Sequence, residues 1–281
     1  DGSRFAAPFI NKHNYGDASI QIWNTKNWEM ERKLARPVPT ITALKWSPND
    51  DRIAASSSEG GLDAWNATNG EKTFQTTLTR SITDFAWSPD GKRLAGGCMN
   101  ATTMIWDMDT GRLTDNLLQN QVPIGQIEFI EESNKLVTLE DFGRVCIWNP
   151  DLRTAERSFR LANQLDARQI DVSVSWNHDG TYIAAGAAFP TAIWSMASGK
   201  SMHSIVGSYA HWSFDGRYIA TKYEAPVSIW NGNTFLLDRQ NDQLGEGLLR
   251  AWSPNDYRLA GLGPDSLWVW DISNDTVQRS T

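Results

Sequence analysis

Residues 82–117 read ITDFAWSPDGKRLAGGCMNATTMIWDMDTGRLTDNL, and the fold turns on how this stretch divides. ITDFAW is a strand-length apolar run closed by an aromatic. SPDG then supplies Pro and Gly for a tight turn, and KRLAGGC is a second short run. TTMIWD is a third, MDTG turns again, and RLTDNL is a fourth. Short runs bounded each time by turn chemistry read as antiparallel strands joined by hairpins, and no helical period of comparable quality is present.

The stretch is one copy of a repeat. Its closing phrase recurs as IQIWN to Trp23, LDAWN to Trp65, TMIWD to Trp106, VCIWN to Trp148, TAIW to Trp194, VSIWN to Trp230 and LWVWD to Trp270, at steps of 42, 41, 42, 46, 36 and 40 residues. A second phrase falls between these, at Trp46, Trp87, Trp176, Trp212 and Trp252, with Phe129 in a worn copy. Self-similarity at this period marks a repeat architecture. Four short strands cannot cover both of their own faces, so each sheet must stack on its neighbours, and a closed circle lets every sheet do so. The expectation is an all-β, seven-bladed β-propeller of four-stranded antiparallel blades, occupying residues 1–281 as a single domain. The tryptophans of both phrases are expected in the core, since each buried indole hides about 150–250 Å². Trp28 and Trp268 stand out of register and are expected at the seam between the first and last blades.

IWD or IWN at this spacing, with WSPDG between, resembles the WD40-repeat family, and the resemblance covers the whole chain. WSPDG alone also resembles TolB-like propellers, whose repeats close on tyrosine; seven closing tryptophans favour WD40. The family's repeats carry a Gly-His pair and a turn Asp that join a strand-two hydroxyl and the Trp in a buried tetrad. Here none of His13, His178, His203 and His211 follows a Gly at that place. Glu59, Asn100 and Phe142 stand at the Asp position, and the hydroxyl is replaced by Ala55 and Gly96 and kept as Thr138 and Thr221. The tetrad is therefore expected to be absent, with backbone carbonyls or water accepting from the indoles.

DGSRFA at Asp1–Ala6 aligns with DGKRLA at Asp90–Ala95, so the chain opens in the turn after a first strand. It reads as a fragment of a longer protein whose first blade lacks its innermost strand here.

In a propeller the loops divide by face. One face is short and uniform; the other holds two insertions, around Lys12, His13 and Tyr15 in the first repeat and at Leu161–Gln169, with Arg168, before the fifth. Loops on a rigid scaffold concentrate function, so Lys12, His13, Tyr15 and Arg168 lead the partner-binding candidates. Arg80, Asp171, Asp238 and Arg239 follow, as residues of loops on the same side.

Composition narrows the class. The 281 residues are 40% hydrophobic and 21% charged, an ordinary globular balance, and no apolar run approaches the roughly 18 residues of a membrane span. A formal charge of -7 without a polybasic run argues against a nucleic-acid partner. Cys98 and Cys146 are too few for a disulfide framework or a zinc site and read as free buried thiols in a reducing, intracellular setting. No G-x-S-x-G, H-E-x-x-H, phosphate loop or C-x-x-C occurs. The resemblance implies a non-catalytic scaffold that presents loops to a peptide or protein, with no metal and no small-molecule cofactor; the alternative is a lectin-like or small-ligand-binding propeller.

Overall fold

A computed structural model of the protein describes residues 3–10, 18–27, 29–35, 41–49, 51–57, 59–78, 81–117, 122–140, 143–151, 154–161, 173–186, 190–222, 226–244, 248–253, 255–262 and 267–280. Seven antiparallel sheets follow one another along the chain, spanning residues 4–35, 41–77, 82–117, 124–160, 173–205, 208–241 and 248–280. Among the described residues six have four strands and the first has three, with strand order following the chain in every one. These are the blades of a β-propeller, and helix among the described residues is 3-10 only, at Gly143 and at Asp242–Leu244.

One ladder explains why the two aromatic phrases recur. In each sheet the strand-two apolar residue lies opposite the closing tryptophan: Phe5 with Trp23, Ile53 with Trp65, Leu94 with Trp106, Leu136 with Trp148, Ile183 with Trp194, Ile219 with Trp230 and Leu259 with Trp270. Where a first strand is present, its last aromatic flanks that same residue from the other side, as Trp87 flanks Leu94 and Phe129 flanks Leu136. Directly opposed residues share a face, so each aliphatic side chain is clamped between two aromatics. The first sheet pairs Phe5 with Trp23 and so contains the counterparts of strands two, three and four. Six of the closing tryptophans are buried, whereas Trp23, in the three-stranded sheet, is half-buried. Among the strand-one aromatics Trp87, Phe129 and Trp212 are buried, but Trp46, Trp176 and Trp252 are only half-buried, short of the full core role expected of them.

The Asn or Asp that follows six of the seven closing tryptophans, all but Trp194, has its own reason. Asn66 Oδ1 accepts from the amides of Thr68 and Asn69, and Asp107, Asn231 and Asp271 repeat the arrangement, so this side chain builds the turn into strand four. The turn ends in a left-handed residue, φ 80° at Gly70 and 68° at Gly111, which favours glycine.

Two compact units divide the chain, residues 1–158 and 159–281. Within the first, an arginine at the head of strand two lies over the strand-one aromatic of the next sheet. Arg4 covers Trp46 at 4.9 Å, Arg52 covers Trp87 at 5.5 Å and Arg93 covers Phe129 at 5.8 Å. Arg52 also donates to the carbonyls of Gly91 and Met108, and Arg93 pairs with Asp151 at 2.8 Å. In the second unit a tyrosine takes that place, and Tyr182 stacks on Trp212 with 14° between ring planes. Sheets six and seven are further joined by Arg239 donating to the Ile272 carbonyl at 2.7 Å and by the Tyr257 hydroxyl donating to Asp215 at 2.6 Å.

The buried indoles correct two expectations. Where the strand-two hydroxyl is kept it does accept from the tryptophan: Trp148 donates to Thr138 at 3.0 Å and Trp230 to Thr221 at 2.9 Å. A Trp–Thr pair thus persists in sheets four and six, because both groups are buried and each needs the other. Backbone carbonyls serve two others, across sheets, as Trp87 donates to Lys45 and Trp252 to His211, and Asp275 Oδ1 accepts from Trp270 at 3.0 Å. Trp268, expected at a seam between blades, is fully buried in a cluster with Ala220, Val227, Ile229, Leu244 and Leu249, against sheet six. Its indole lies over Gly261, whose missing side chain makes the room. Trp28 lies outside the described residues.

Candidate functional site

The first strands of sheets two, three and four end in Lys45-Trp46, Ala86-Trp87 and Glu128-Phe129. Each runs into a turn whose second residue is Pro48, Pro89 or Glu131. Serine fixes the first two turns. Ser47 Oγ accepts from the Arg52 amide at 2.9 Å, and Ser88 Oγ accepts from the Arg93 amide at 2.8 Å while donating to Asp90 at 2.6 Å. These equivalent positions in three successive sheets enclose a cavity of about 210 Å³, walled by Trp46, Trp87, Phe129, Pro48 and Pro89 with Lys45, Glu128 and Glu131 as its charged lining. Ala86 is the small member of its set, where sheets two and four carry long side chains.

The electrostatics are uneven. Lys45 Nζ lies 2.9 Å from Asp84 Oδ1 and 3.8 Å from Glu128 Oε2. Burial opposes the ammonium, but the Asp84 and Glu128 carboxylates outweigh it and hold Lys45 above its usual pKa. Asp84 is further fixed by the Ile127 amide, which donates to its Oδ2 at 3.0 Å. Glu128 is pushed up, first by burial and then by the like charges of Asp84 and Glu131, with Lys45 opposing. Two carboxylates, Asp84 and Glu128, therefore act on the one ammonium, and Glu131 acts on Glu128.

The other notable polar cluster is closed. Cys146 donates to Glu140 at 3.1 Å, and Arg144 approaches the same carboxylate at 3.5 Å. Burial, followed by the bond to Glu140, pushes the Cys146 thiol up to about 12. Cys98 and Cys146 are both buried, and neither forms a disulfide among the described residues. Among the described residues no group of three or more His, Cys, Asp or Glu side chains is placed to hold a metal ion, and no helix is long and apolar enough to cross a membrane.

Most of the sequence-predicted contact residues, Lys12, His13, Tyr15, Arg80, Arg168 and Asp171, lie outside the described residues. Asp238 and Arg239 are described, and they stand in the fourth strand of sheet six, Leu237–Asn241, not in a loop. A register shift beside Trp230 draws them into the sheet, opposite Ile229 for Arg239. Asp238 is exposed and paired with Arg239 at 2.7 Å.

Comparison with known proteins gives this geometry its context. Residues 44–132 match the family described as the anaphase-promoting complex subunit 4 WD40 domain, a stretch that runs from the first strand of sheet two past that of sheet four and holds the pocket. A p21-activated protein kinase-interacting protein 1-like protein of Gallus gallus is 27% identical over 125 residues, 44% of this chain and 33% of that protein. Elongator complex protein 2 of Dictyostelium discoideum is 25% identical over 160 residues, 49% of this chain and 18% of its own. WD repeat-containing protein VIP3 of Arabidopsis thaliana is 26% identical over 112 residues, 40% and 26% of the respective chains. The chain is a β-propeller whose second to fourth sheets are similar to those of WD40 proteins. It spans about a third or less of the length of these relatives.

The pocket of this propeller was not found by sequence reasoning, although a signal exists. Aligned on the strand-one aromatic, Lys45, Ala86 and Glu128 form one column and Pro48, Pro89 and Glu131 another. Opposite charges one sheet apart on either side of an alanine, with a proline replaced by glutamate, mark the site.

Proposed function

We propose that this propeller is a non-catalytic protein-interaction scaffold and a subunit of a larger assembly. The carrying observation is the use of its polar groups. Arg52, Arg93, Arg239, Tyr257 and Asp215 join one sheet to the next, and the buried thiol of Cys146 is held protonated, so these groups serve rigidity rather than reaction. The matching family and one relative are named as members of complexes, the anaphase-promoting complex and Elongator, which supports assembly membership by analogy of fold. The inserted loops bearing Lys12, His13, Tyr15 and Arg168 are the proposed partner-facing elements, with Arg80, Asp171 and Asp238 on the same side. A lectin-like or small-ligand role is less well supported, because a cavity of about 210 Å³ is smaller than the roughly 300–1,000 Å³ of small-molecule sites.

The test is affinity purification of the tagged protein from its native source, beside a variant with both inserted loops shortened. Stoichiometric co-purifying polypeptides that fall away with the loops are the expected result. A lone protein in both purifications would refute the scaffold reading.

A further inference from the structure

Sheet four carries an exposed hydroxyl beside two arginines. Its fourth strand, Thr154–Arg160, lies at an edge of the sheet, and every residue in it but Phe159 is exposed. Arg144, on the third strand, is divided between two acceptors. One guanidinium nitrogen approaches the fully buried Glu140 carboxylate at 3.5 Å, and the other donates to Ser158 Oγ at 3.4 Å. Both distances are at the long limit of hydrogen bonding, so neither oxygen holds the cation closely. Successive side chains of a strand alternate between faces, which puts Glu156, Ser158 and Arg160 on one face. The Glu156 carboxylate is already answered, by Lys135 at 2.6 Å and Asn149 at 3.3 Å, and the Lys135 bond is the main cause of its lowered pKa.

A phosphate on Ser158 fits these surroundings. It brings close to two negative charges and three acceptor oxygens at neutral pH, and a guanidinium meets a phosphate as a fork of two parallel N–H···O bonds. On Oγ it would stand within reach of the Arg144 guanidinium already directed at that atom, with Arg160 two residues on along the same face. Access agrees with this. An edge strand is extended and open on one side, the form in which a polypeptide lies against another protein, and Arg157 and Arg160 suit a kinase whose substrate groove is acidic. Sheet five offers a contrast. Exposed Ser201 and Ser204 of its fourth strand, Lys200–Ile205, have no arginine near them in sequence, and Trp194 and Ala192 stand opposite them in the ladder.

We propose that Ser158 is a phosphorylation site whose phosphate is held by Arg144 and Arg160. A protein kinase and a nucleoside triphosphate supply the group. Ser158 Oγ bonds to the γ-phosphorus, the bond from that phosphorus to the oxygen bridging the β-phosphate breaks, the nucleoside diphosphate leaves, and the hydroxyl proton passes to the kinase's base. The phosphate then draws Arg144 outward. Buried Glu140 keeps the Cys146 thiol as a donor at 3.1 Å but loses its cation, so a change at the surface is felt inside sheet four. None of this requires a partner, and the site stands apart from the scaffold reading.

The test has two arms. The full chain is purified from its native source with phosphatase inhibitors present, and its peptides are read by mass spectrometry; phosphate on Ser158, with none on Ser201 or Ser204, is expected. The full chain carrying phosphoserine at position 158 is then titrated by phosphorus NMR. A free phosphoserine loses its second proton at about pH 6, and the two guanidinium groups should lower that pKa to about 5. Arg144→Gln and Arg160→Gln should each return part of the difference, the second at an exposed position that keeps the test readable if the first variant does not fold. No phosphate at Ser158 in the native protein, a phosphate that titrates as the free amino acid does, or a lowered pKa that the glutamine variants leave unmoved would overturn the proposal. Co-purifying subunits, kept or lost, bear on the scaffold reading alone.

Discussion

Replacing Thr138 with valine isolates the one interaction that the WD40 pattern shares with this divergent chain. Trp148 donates its indole N–H to Thr138 Oγ1 at 3.0 Å, and both residues are buried to within 1%. Valine keeps the β-branch and therefore the strand preference, so the backbone has no reason to move. What changes is that a buried N–H loses its acceptor, which costs about 1–3 kcal/mol. Thr138→Ser keeps the acceptor and loses one methyl, for about 0.8 kcal/mol, so valine should be the worse substitution although it is the more hydrophobic. Thr221→Val should cost more again, because Thr221 accepts from Trp230 at 2.9 Å and also donates to the Val206 carbonyl at 2.8 Å. The chain has two compact units, so a single global midpoint is the wrong readout. Urea unfolding followed at the indole N–H resonances of Trp148 and Trp230 reads each unit by its own probe. A valine variant within about 0.5 kcal/mol of the native protein, or a serine variant less stable than the valine one, would refute the reasoning.

Four shorter expectations accompany it. Gly261→Ala would drive a Cβ into the ring of fully buried Trp268, overpacking that should cost about 1–3 kcal/mol, read by urea unfolding at the Trp268 indole resonance. Cys146, with its thiol pushed up to about 12, should resist iodoacetamide at pH 8 in the native protein and label at once in denaturant; rapid native labelling would contradict the buried thiol–carboxylate pair. Asp215 is held below the ordinary carboxylate pKa of 3.8: burial opposes this, but bonds from Tyr257, the Arg217 amide and Ser213 prevail. Its contribution is complete above that ordinary value and lost as pH falls through the lower folded one, so Asp215→Asn should flatten the acid limb of the stability profile, measured by urea midpoints between pH 5 and pH 2. Arg239→Ala should lower the stability of the second unit, because the bond to the Ile272 carbonyl that joins sheets six and seven is lost, read by urea unfolding at the Trp230 indole resonance.

The fold was legible because its determinants are local. Alternation, the Ser-Pro-Asp-Gly turns and the tryptophan phrases each act within a few residues, and the pairing of Phe5 with Trp23 and Leu94 with Trp106 follows from hairpin register alone. The pocket was not legible in the same way. Lys45, Asp84 and Glu128 sit on three sheets, one repeat apart, and nothing within a repeat says that they meet. Register shifts between Ile41 and Ala43 and between Ile82 and Asp84 also move these side chains by a step that period-two alternation does not foresee. The same distinction explains what the missing Gly-His and Asp residues mean. A tetrad stabilises a blade from within, and its loss predicts weak blades. Here hydrogen bonding and stacking are placed between blades instead, with Arg52 and Arg93 laid over Trp87 and Phe129, Tyr182 on Trp212, and the indoles of Trp87 and Trp252 donating across to neighbouring carbonyls. A single sheet excised from this chain should thus be less stable, relative to its neighbours' support, than one that carries the tetrad. Cooperativity within each unit should be correspondingly high, since the interactions that substitute for the tetrad exist only when adjacent sheets are both folded.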